Sequence, residues 1–299
     1  MRKHHFIPAA ALVVFTVFFT LTGCGGNASA KKGEAEKIRI GLMPDAGALP
    51  LLLMDEVVTV PFFSARERDT AMQLGELDGM MGDLVGFFTF TSKGIPLKVL
   101  TVTESRFLLV GAPGSEVSSG DDTIPWRVGL SENSVIEYMV DRWAQGRPVE
   151  KVAIPQVPVR MEMLSQGQIP LAGLTDAMAW PLLAKGFPII RDQRDGDEEP
   201  GVLLFSQAFL NRKDTDLDKF RKDWNNAVAE INRNPGKYRD LLEETARIPR
   251  IEGQPYPMPV FRPVTLPTEA QVASVLFWFR DKFGWSGPVR YEDIILNQR

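Results

Sequence analysis

Polar chemistry in this chain gathers at four places where a β-type run gives way to a helical one. They are Asp45-Ala46-Gly47-Ala48, Gly82-Asp83, Ser131-Glu132-Asn133-Ser134 and Thr175-Asp176. At such a junction the first N–H groups of the helix lack partners and the dipole end is positive, so small residues, hydroxyls and carboxylates there can hold a polar ligand. The same residue types also cap helices. Ser134-Val135-Ile136-Glu137 has capping-box spacing, which leaves Ser131 and Asn133 freer to meet a ligand. Glu104 and Arg106 follow a fourth β-type run; the arginine can clamp an anion through two parallel N–H bonds or pair with Glu104 or another acid. Arg160, near the start of a helix around Met161, reads more simply as a surface or interlobe pair. If Pro181 opens the helix that follows Asp176, Trp180 stands at its lip, where it stacks on a planar ligand or packs into the core.

The two histidines, His4 and His5, and the one cysteine, Cys24, all fall near the N-terminus. The remaining chain therefore excludes Ser-His and Cys-His catalysis and holds no imidazole or thiolate metal ligand. Carboxylates, Lys and Tyr can still move protons, and oxygen ligands can hold a hard cation. Binding without chemistry is the better expectation, with no catalytic residue, cofactor or metal. A net charge of −4 argues against nucleic acid as a partner. No phosphate-loop or dinucleotide glycine pattern sits between a strand and a helix.

Arg2 and Lys3, the apolar run from Phe6 to Leu21, and Leu21-Thr22-Gly23-Cys24 form a bacterial lipoprotein signal. Residues 1–23 are expected to be removed, Cys24 to be acylated, and residues 24–36 to act as a flexible tether. An uncleaved N-terminal anchor is the plainer alternative; either way the body is extracytoplasmic.

Beyond the tether, strand-type and helix-type runs alternate, which predicts an α/β fold with parallel sheets. Two lobes are expected: residues 37–105 with 207–299, and residues 106–206, joined by strand crossings near Thr103 to Phe107 and Leu204 to Gln207. A short repeat supports this. Gly75 and Gly167 each stand nineteen residues, glycine to glycine, before the Gly of a Lys-Gly-x-Pro, at Lys93 to Pro96 and Lys185 to Pro188, with Asp83 and Asp176 at similar places between. Arg66, Glu67, Arg68 and Asp69 read as a mostly solvent-facing stretch of helix. Phe220, Trp224, Val228 and Ile231 recur at helical spacing until Asn234-Pro235, and a proline-rich loop precedes a helix from Thr268 to Phe283.

The mature chain resembles the substrate-binding proteins of ABC transporters in the nitrate, sulfonate, taurine and thiamine-precursor group. The residues that carry the resemblance are Ile38-Arg39-Ile40-Gly41-Leu42; Phe62 with Arg68, Asp69, Ala71 and Gly75-Glu76-Leu77-Asp78-Gly79; Gly82-Asp83-Leu84; and Lys93-Gly94-Ile95-Pro96. Later come Val157-Pro158-Val159-Arg160, Leu164, Gly167, Asn232, Asn234-Pro235 before Tyr238, and Tyr291-Glu292-Asp293. The resemblance implies a periplasmic-binding-protein fold of type II, two α/β lobes joined by two hinge strands that close on a small solute. It also implies delivery to a membrane permease driven by a cytoplasmic ATPase, with the body monomeric. A sensory or partner-binding lipoprotein, or an enzyme on the same fold, are the alternatives. Asp45, Asp83, Glu104 and Asp176 outnumber basic groups at the candidate junctions, which favours a neutral or nitrogen-bearing heterocycle over a bare inorganic anion and leaves sulfonates open.

Overall fold

The computed structural model describes residues 36–115, 124–196 and 198–296. The leader, Cys24 and the tether up to Ala35 lie outside the described residues. The body, from Glu36 onward, is a single compact unit.

Its first half runs β1 (Ile38–Leu42), a 3-10 turn (Ala46–Ala48), α1 (Leu49–Leu52), β2 (Val57–Pro61), α2 (Ala65–Gln73), β3 (Gly79–Asp83), α3 (Leu84–Ser92) and β4 (Leu97–Val102). The second runs β5 (Phe107–Gly111), β6 (Trp126–Leu130), α4 (Val135–Ala144), β7 (Val149–Ala153), α5 (Val157–Ser165), β8 (Leu171–Thr175), α6 (Asp176–Leu183) and β9 (Ile189–Asp192). The chain ends with β10 (Gly201–Ser206) and the helices α7 (Gln207–Leu210), α8 (Leu217–Arg233), α9 (Pro235–Thr245), α10 (Glu269–Phe283) and α11 (Tyr291–Ile294).

Two five-stranded sheets result, in the orders β2-β1-β3-β10-β4 and β7-β6-β8-β5-β9. In each, the fourth strand is antiparallel to both neighbours: β10 lies between β3 and β4, and β5 between β8 and β9. The chain passes from the first sheet to the second after β4 and returns between β9 and β10. The first lobe therefore resumes at Gly201 rather than 207, and the expected second crossing near Leu204 falls inside a strand. Val202 to Phe205 are fully buried, which suits an inner strand; the polar, turn-rich residues before them make the connection.

The repeat extends well beyond its glycines. β2, α2, β3 and α3 coincide with β7, α5, β8 and α6 at a constant offset of 92, from 57 to 149, 65 to 157, 79 to 171 and 84 to 176. β1 and β6 are 88 apart, from 38 to 126, because a longer first helix, α4, fills the second lobe. In this register the counterpart of Asp83 is Thr175, not Asp176.

Helix periodicity decides the rest. Phe220, Trp224, Val228 and Ile231 of α8 are buried, and Val272, Val275 and Phe279 of α10 join the cluster containing Phe88 of α3. That cluster also takes in Val135, Tyr138 and Met139 of α4, so one apolar core spans both lobes. Polar contacts along this seam bind α4 to α10. The Tyr138 hydroxyl meets Ser274 Oγ at 3.0 Å, Trp278 Nε1 donates to Asp141 Oδ2 at 2.9 Å, and Lys282 Nζ donates to Glu137 Oε1 at 2.7 Å. No helix among the described residues is long and apolar enough to cross a membrane.

Candidate functional site: the cleft between the sheets

The parallel strands of both sheets point their carboxyl ends at a shared cleft, where open α/β sheets place ligands. Met43, Asp45, Arg68, Gly82 and Asp83 line it from the first lobe; Ser131, Ser134, Arg160 and Thr175 line it from the second; Ser105 and Phe107 belong to the first crossing. The cavity volume is about 100 Å³, so the lobes leave space for a compact occupant. Thr175 Oγ1 reaches across to the Pro44 carbonyl at 3.4 Å. A wider hollow of about 1120 Å³ beside α10 contains Arg142 and Glu198, which pair with each other at 2.8 Å. The starts of α3 and α10, at Leu84 and Thr268, lie on it, whereas α2, α3, α4, α5 and α6 all start at the cleft.

Each lobe contributes a buried arginine from the same place in the repeat. Arg68, on α2, is 4% exposed and donates from Nη1 to the Met81 carbonyl at 2.7 Å. Arg160, on α5, is 1% exposed and donates from Nη1 to the Gly173 carbonyl at 2.7 Å. Glycines make room for them. A Cβ on Gly41 would stand 3.1 Å from Arg68 Cγ and 2.7 Å from Leu77 Cδ1; one on Gly129 would stand 3.3 Å from Arg160 Cγ and 2.5 Å from Ile169 Cδ1.

The two arginines differ in what neutralises them. Arg68 Nε and Nη2 both donate to Asp69 Oδ1, at 3.0 and 2.7 Å, and Asp83 adds a second negative charge nearby. At the corresponding positions around Arg160 stand Met161 and Thr175. Arg160 Nη2 makes a long contact of 3.4 Å to Ser131 Oγ, and Nε is buried without a partner. Among the described residues no carboxylate pairs with it, and burial pushes its pKa down to about 10, so it remains charged at neutral pH.

Capping follows the same division. Asp45 Oδ1 accepts from Gly47 N–H at 2.7 Å, Ser64 Oγ from Glu67 N–H at 3.3 Å, and Asp83 Oδ1 from Gly86 N–H at 2.7 Å. Burial raises the Asp45 and Asp83 carboxyls above their usual range, opposed by the capping N–H groups and the Arg68 charge. In the second lobe the residues at the starts of α4, α5 and α6, namely Ser134, Gln156 and Thr175, form no side-chain cap.

The capping box expected at Ser134 is absent. Ser134 Oγ donates to the Ser131 carbonyl at 2.6 Å, while Glu137 accepts from Asn133 N–H at 2.6 Å and turns its other oxygen to Lys151 and Lys282. Asn133 is exposed, has a left-handed φ of 59° and does not line the cleft. Ala46 is buried within its 3-10 turn, outside the lining. Arg106 is not free to clamp a ligand: both its Nε and Nη2 donate to Asp192, rather than to Glu104. Glu104 is held by Arg262 Nε at 2.6 Å, and Arg262 also pairs with Glu199 at 2.7 Å.

Asp176 is buried behind the lining. Its Oδ1 accepts from Ala177 N–H at 2.7 Å, and burial, with the charge of Asp45, raises its pKa to about 6. α6 begins at Asp176 with Pro181 inside it, so Trp180 is not at a helix start; it packs edge-on against Tyr256 with centroids 6.0 Å apart. Arg68 and Arg160, read from the sequence as solvent-facing and as a surface or interlobe pair, are instead the buried charges of the cleft. The missed signal was the repeat itself: Arg39-Ile40-Gly41-Leu42 returns as Arg127-Val128-Gly129-Leu130, and 68 and 160 share the offset of 92. Among the described residues no group of three or more His, Cys, Asp or Glu gathers to hold a metal ion.

No family model matches the chain, and no curated protein matches it. Solved structures do. The ligand-binding component of an ABC-type import system from Staphylococcus aureus, with zinc bound, superposes with a TM-score of 0.66 at 13% identity, over 87% of this chain and 96% of that one. The periplasmic aliphatic sulphonate binding protein SsuA from Escherichia coli gives 0.65 at 16% identity, over 84% and 92%. A Candida albicans gene product exhibiting the generic periplasmic binding protein structural fold gives 0.59 at 10% identity, over 85% and 92%. The chain has the periplasmic-binding-protein fold.

Proposed function

We propose that this protein is a lipid-anchored, extracytoplasmic solute-binding protein of an ABC importer. It captures a small organic solute of the sulfonate, nitrate, taurine or thiamine-precursor type between its lobes and presents the closed form to a permease driven by a cytoplasmic ATPase. The observation that carries this reading is the cleft at the carboxyl ends of both sheets, into which the second lobe brings a buried guanidinium with an unpartnered Nε. A buried charge without a partner is costly, and a ligand is the usual means of satisfying one. Asp45, Gly82, Asp83, Ser131, Ser134, Thr175 and Arg160 are its contact residues. Arg106, Glu104 and Asp176 support the crossings behind them, and Cys24 carries the acyl chains.

Native mass spectrometry of the purified chain, followed by thermal-shift titration, tests the reading. A retained or added small solute should raise Tm by an amount that grows with its concentration, because it binds only the native state. Absence of any stabilising solute, from defined compounds or from a metabolite extract, would overturn it in favour of a sensory or partner-binding lipoprotein.

A further inference from the structure

α4 belongs to the second lobe and α10, packed with α3, to the first, so a hinge that parts the two sheets moves one helix against the other. Their contact is apolar at its centre. Val135, Tyr138 and Met139 share one buried cluster with Val275 and Phe279, and the Tyr138 and Trp278 rings meet edge-on with centroids 5.5 Å apart. The rim is charged. Glu137 of α4 is 1% exposed, and its Oε1 accepts from Lys151 Nζ of β7 at 2.8 Å and from Lys282 Nζ of α10 at 2.7 Å. Lys151 also pairs with Asp141 at 2.6 Å, and Asp141 accepts from Trp278 Nε1 on its other oxygen. The second lobe thus brings two carboxylates and one ammonium to this cluster, and charge balance is reached only when the first lobe adds Lys282. A buried carboxylate that loses one of its cations is left undercompensated, at a large cost.

The other oxygen of Glu137 serves the cleft loop. Oε2 accepts from Asn133 N–H at 2.6 Å, which holds Asn133 at its left-handed φ of 59°. Asn133 stands between Ser131 and Ser134, which line the cleft and are tied together by the bond from Ser134 Oγ to the Ser131 carbonyl; Ser131 Oγ in turn receives the long contact from Arg160. We infer that Glu137 and Lys282 form an interlobe latch wired to the cleft: Lys282 holds α10 against α4, and the carboxylate it engages positions the 131–134 loop, so that loosening of the lobes and loosening of the loop are one event. Glu137 is outside the cleft lining and acts as a positioning residue, through the Asn133 N–H. The latch works without a solute, so it stands or falls apart from the solute-receptor reading.

The test compares Lys282→Met, Lys282→Arg and Lys151→Met in the full-length chain in mild detergent. Hydrogen exchange is read by mass spectrometry, and dimensions by small-angle neutron scattering with the detergent contrast-matched. Lys282→Met keeps an unbranched apolar side chain beside the Trp278 and Phe283 rings and removes the charge. Exchange in the segment 131–138 should become about 10-fold faster, and the radius of gyration should increase as the lobes part. Lys282→Arg should restore both. Lys151→Met takes an equal charge from the same carboxylate but within one lobe, so it should lower Tm while leaving the radius of gyration at the parent's value. Parent-like exchange and dimensions in Lys282→Met would overturn the latch, as would equal opening by Lys151→Met. A larger radius without faster exchange at 131–138, or the reverse, would separate the loop from the seam and overturn the coupling. Circular dichroism confirms the fold of each variant; should Lys282→Met not fold, Lys282→Gln carries the same expectations.

Discussion

Replacing Met161 with Asp would give Arg160 the counterion that Asp69 gives Arg68. The lowering of the Arg160 pKa to about 10 by burial corresponds to about 3 kcal/mol of unfavourable charging. A carboxylate one residue along the helix, placed as Asp69 is, would meet the orphan Nε and recover about 1.5–3 kcal/mol as a charge-assisted hydrogen bond. Against this stands the loss of partly buried Met161 from its apolar cluster, about 1 kcal/mol. Met161→Asp should thus be about 1 kcal/mol more stable than the parent, whereas Met161→Asn, which loses the packing without gaining the charge, should be about 1 kcal/mol less stable. Differential scanning calorimetry without added solute should separate the two variants by about 4–8 °C in Tm for a body of this size. The Asp variant should also lose its response to anionic solutes, its own carboxylate having taken their place. Equal Tm values for Asp and Asn would refute the claim that Arg160 is electrostatically uncompensated.

Cys24→Ala should move the protein from the membrane fraction to the soluble envelope fraction; unchanged membrane retention would contradict acylation. For Asp176 the pKa is raised, so its contribution to stability is complete below the ordinary 3.8 and is lost as pH rises through about 6. Asp176→Asn should therefore be more stable than the parent by about 2–3 kcal/mol at pH 8, with the gap closing in acid, as read from urea midpoints across pH. For Glu137 the sign is opposite. Burial alone would raise it, but hydrogen bonds from Lys151, Lys282 and Asn133 together hold it below 4.5, so its stabilisation is present above that value and fades as pH falls through the lowered one. Glu137→Gln should cost about 3 kcal/mol at pH 7, and a flat pH dependence of that loss would exclude the ion-pair account.

The fold was legible because its signals are local and repeated. Alternating strands and helices, the stop at Asn234-Pro235 and the helix begun at Thr268 each follow from neighbouring residues, and Thr268 and Gln271 do form a capping box. The junctions Asp45, Asp83, Ser131, Ser134 and Thr175 were legible for the same reason, since a polar residue between strand and helix ends at the carboxyl edge of a parallel sheet. What escaped depended on tertiary packing. Arg68 stands among Arg66, Glu67 and Asp69, and no local pattern distinguishes a charge on a solvated face from one folded under β3; its burial is permitted by Gly41, twenty-seven residues earlier by numbering from 41 to 68. Arg106 gave no sign that Asp192, rather than Glu104, would hold it, because that partner arrives through β9.

The unequal treatment of two equivalent arginines bears on how closure is driven. A ligand shifts an equilibrium between open and closed forms only by its difference in affinity for the two. Arg68 is neutralised within its own lobe, so its environment is complete whether or not solute is present, and it fixes the Met81 carbonyl beside the cleft. Arg160 is fixed in the same way to Gly173, yet its charge is left for something outside the chain to answer. If the proposed solute docks first on the second lobe, it would answer Arg160 before the first lobe reaches it. Contacts from the first lobe would then be added only when the lobes meet, and they would supply the differential affinity that favours closure. Small-angle scattering should then show a decrease in radius of gyration with a solute that raises Tm, and equal dimensions with and without that solute would break the link between binding and closure.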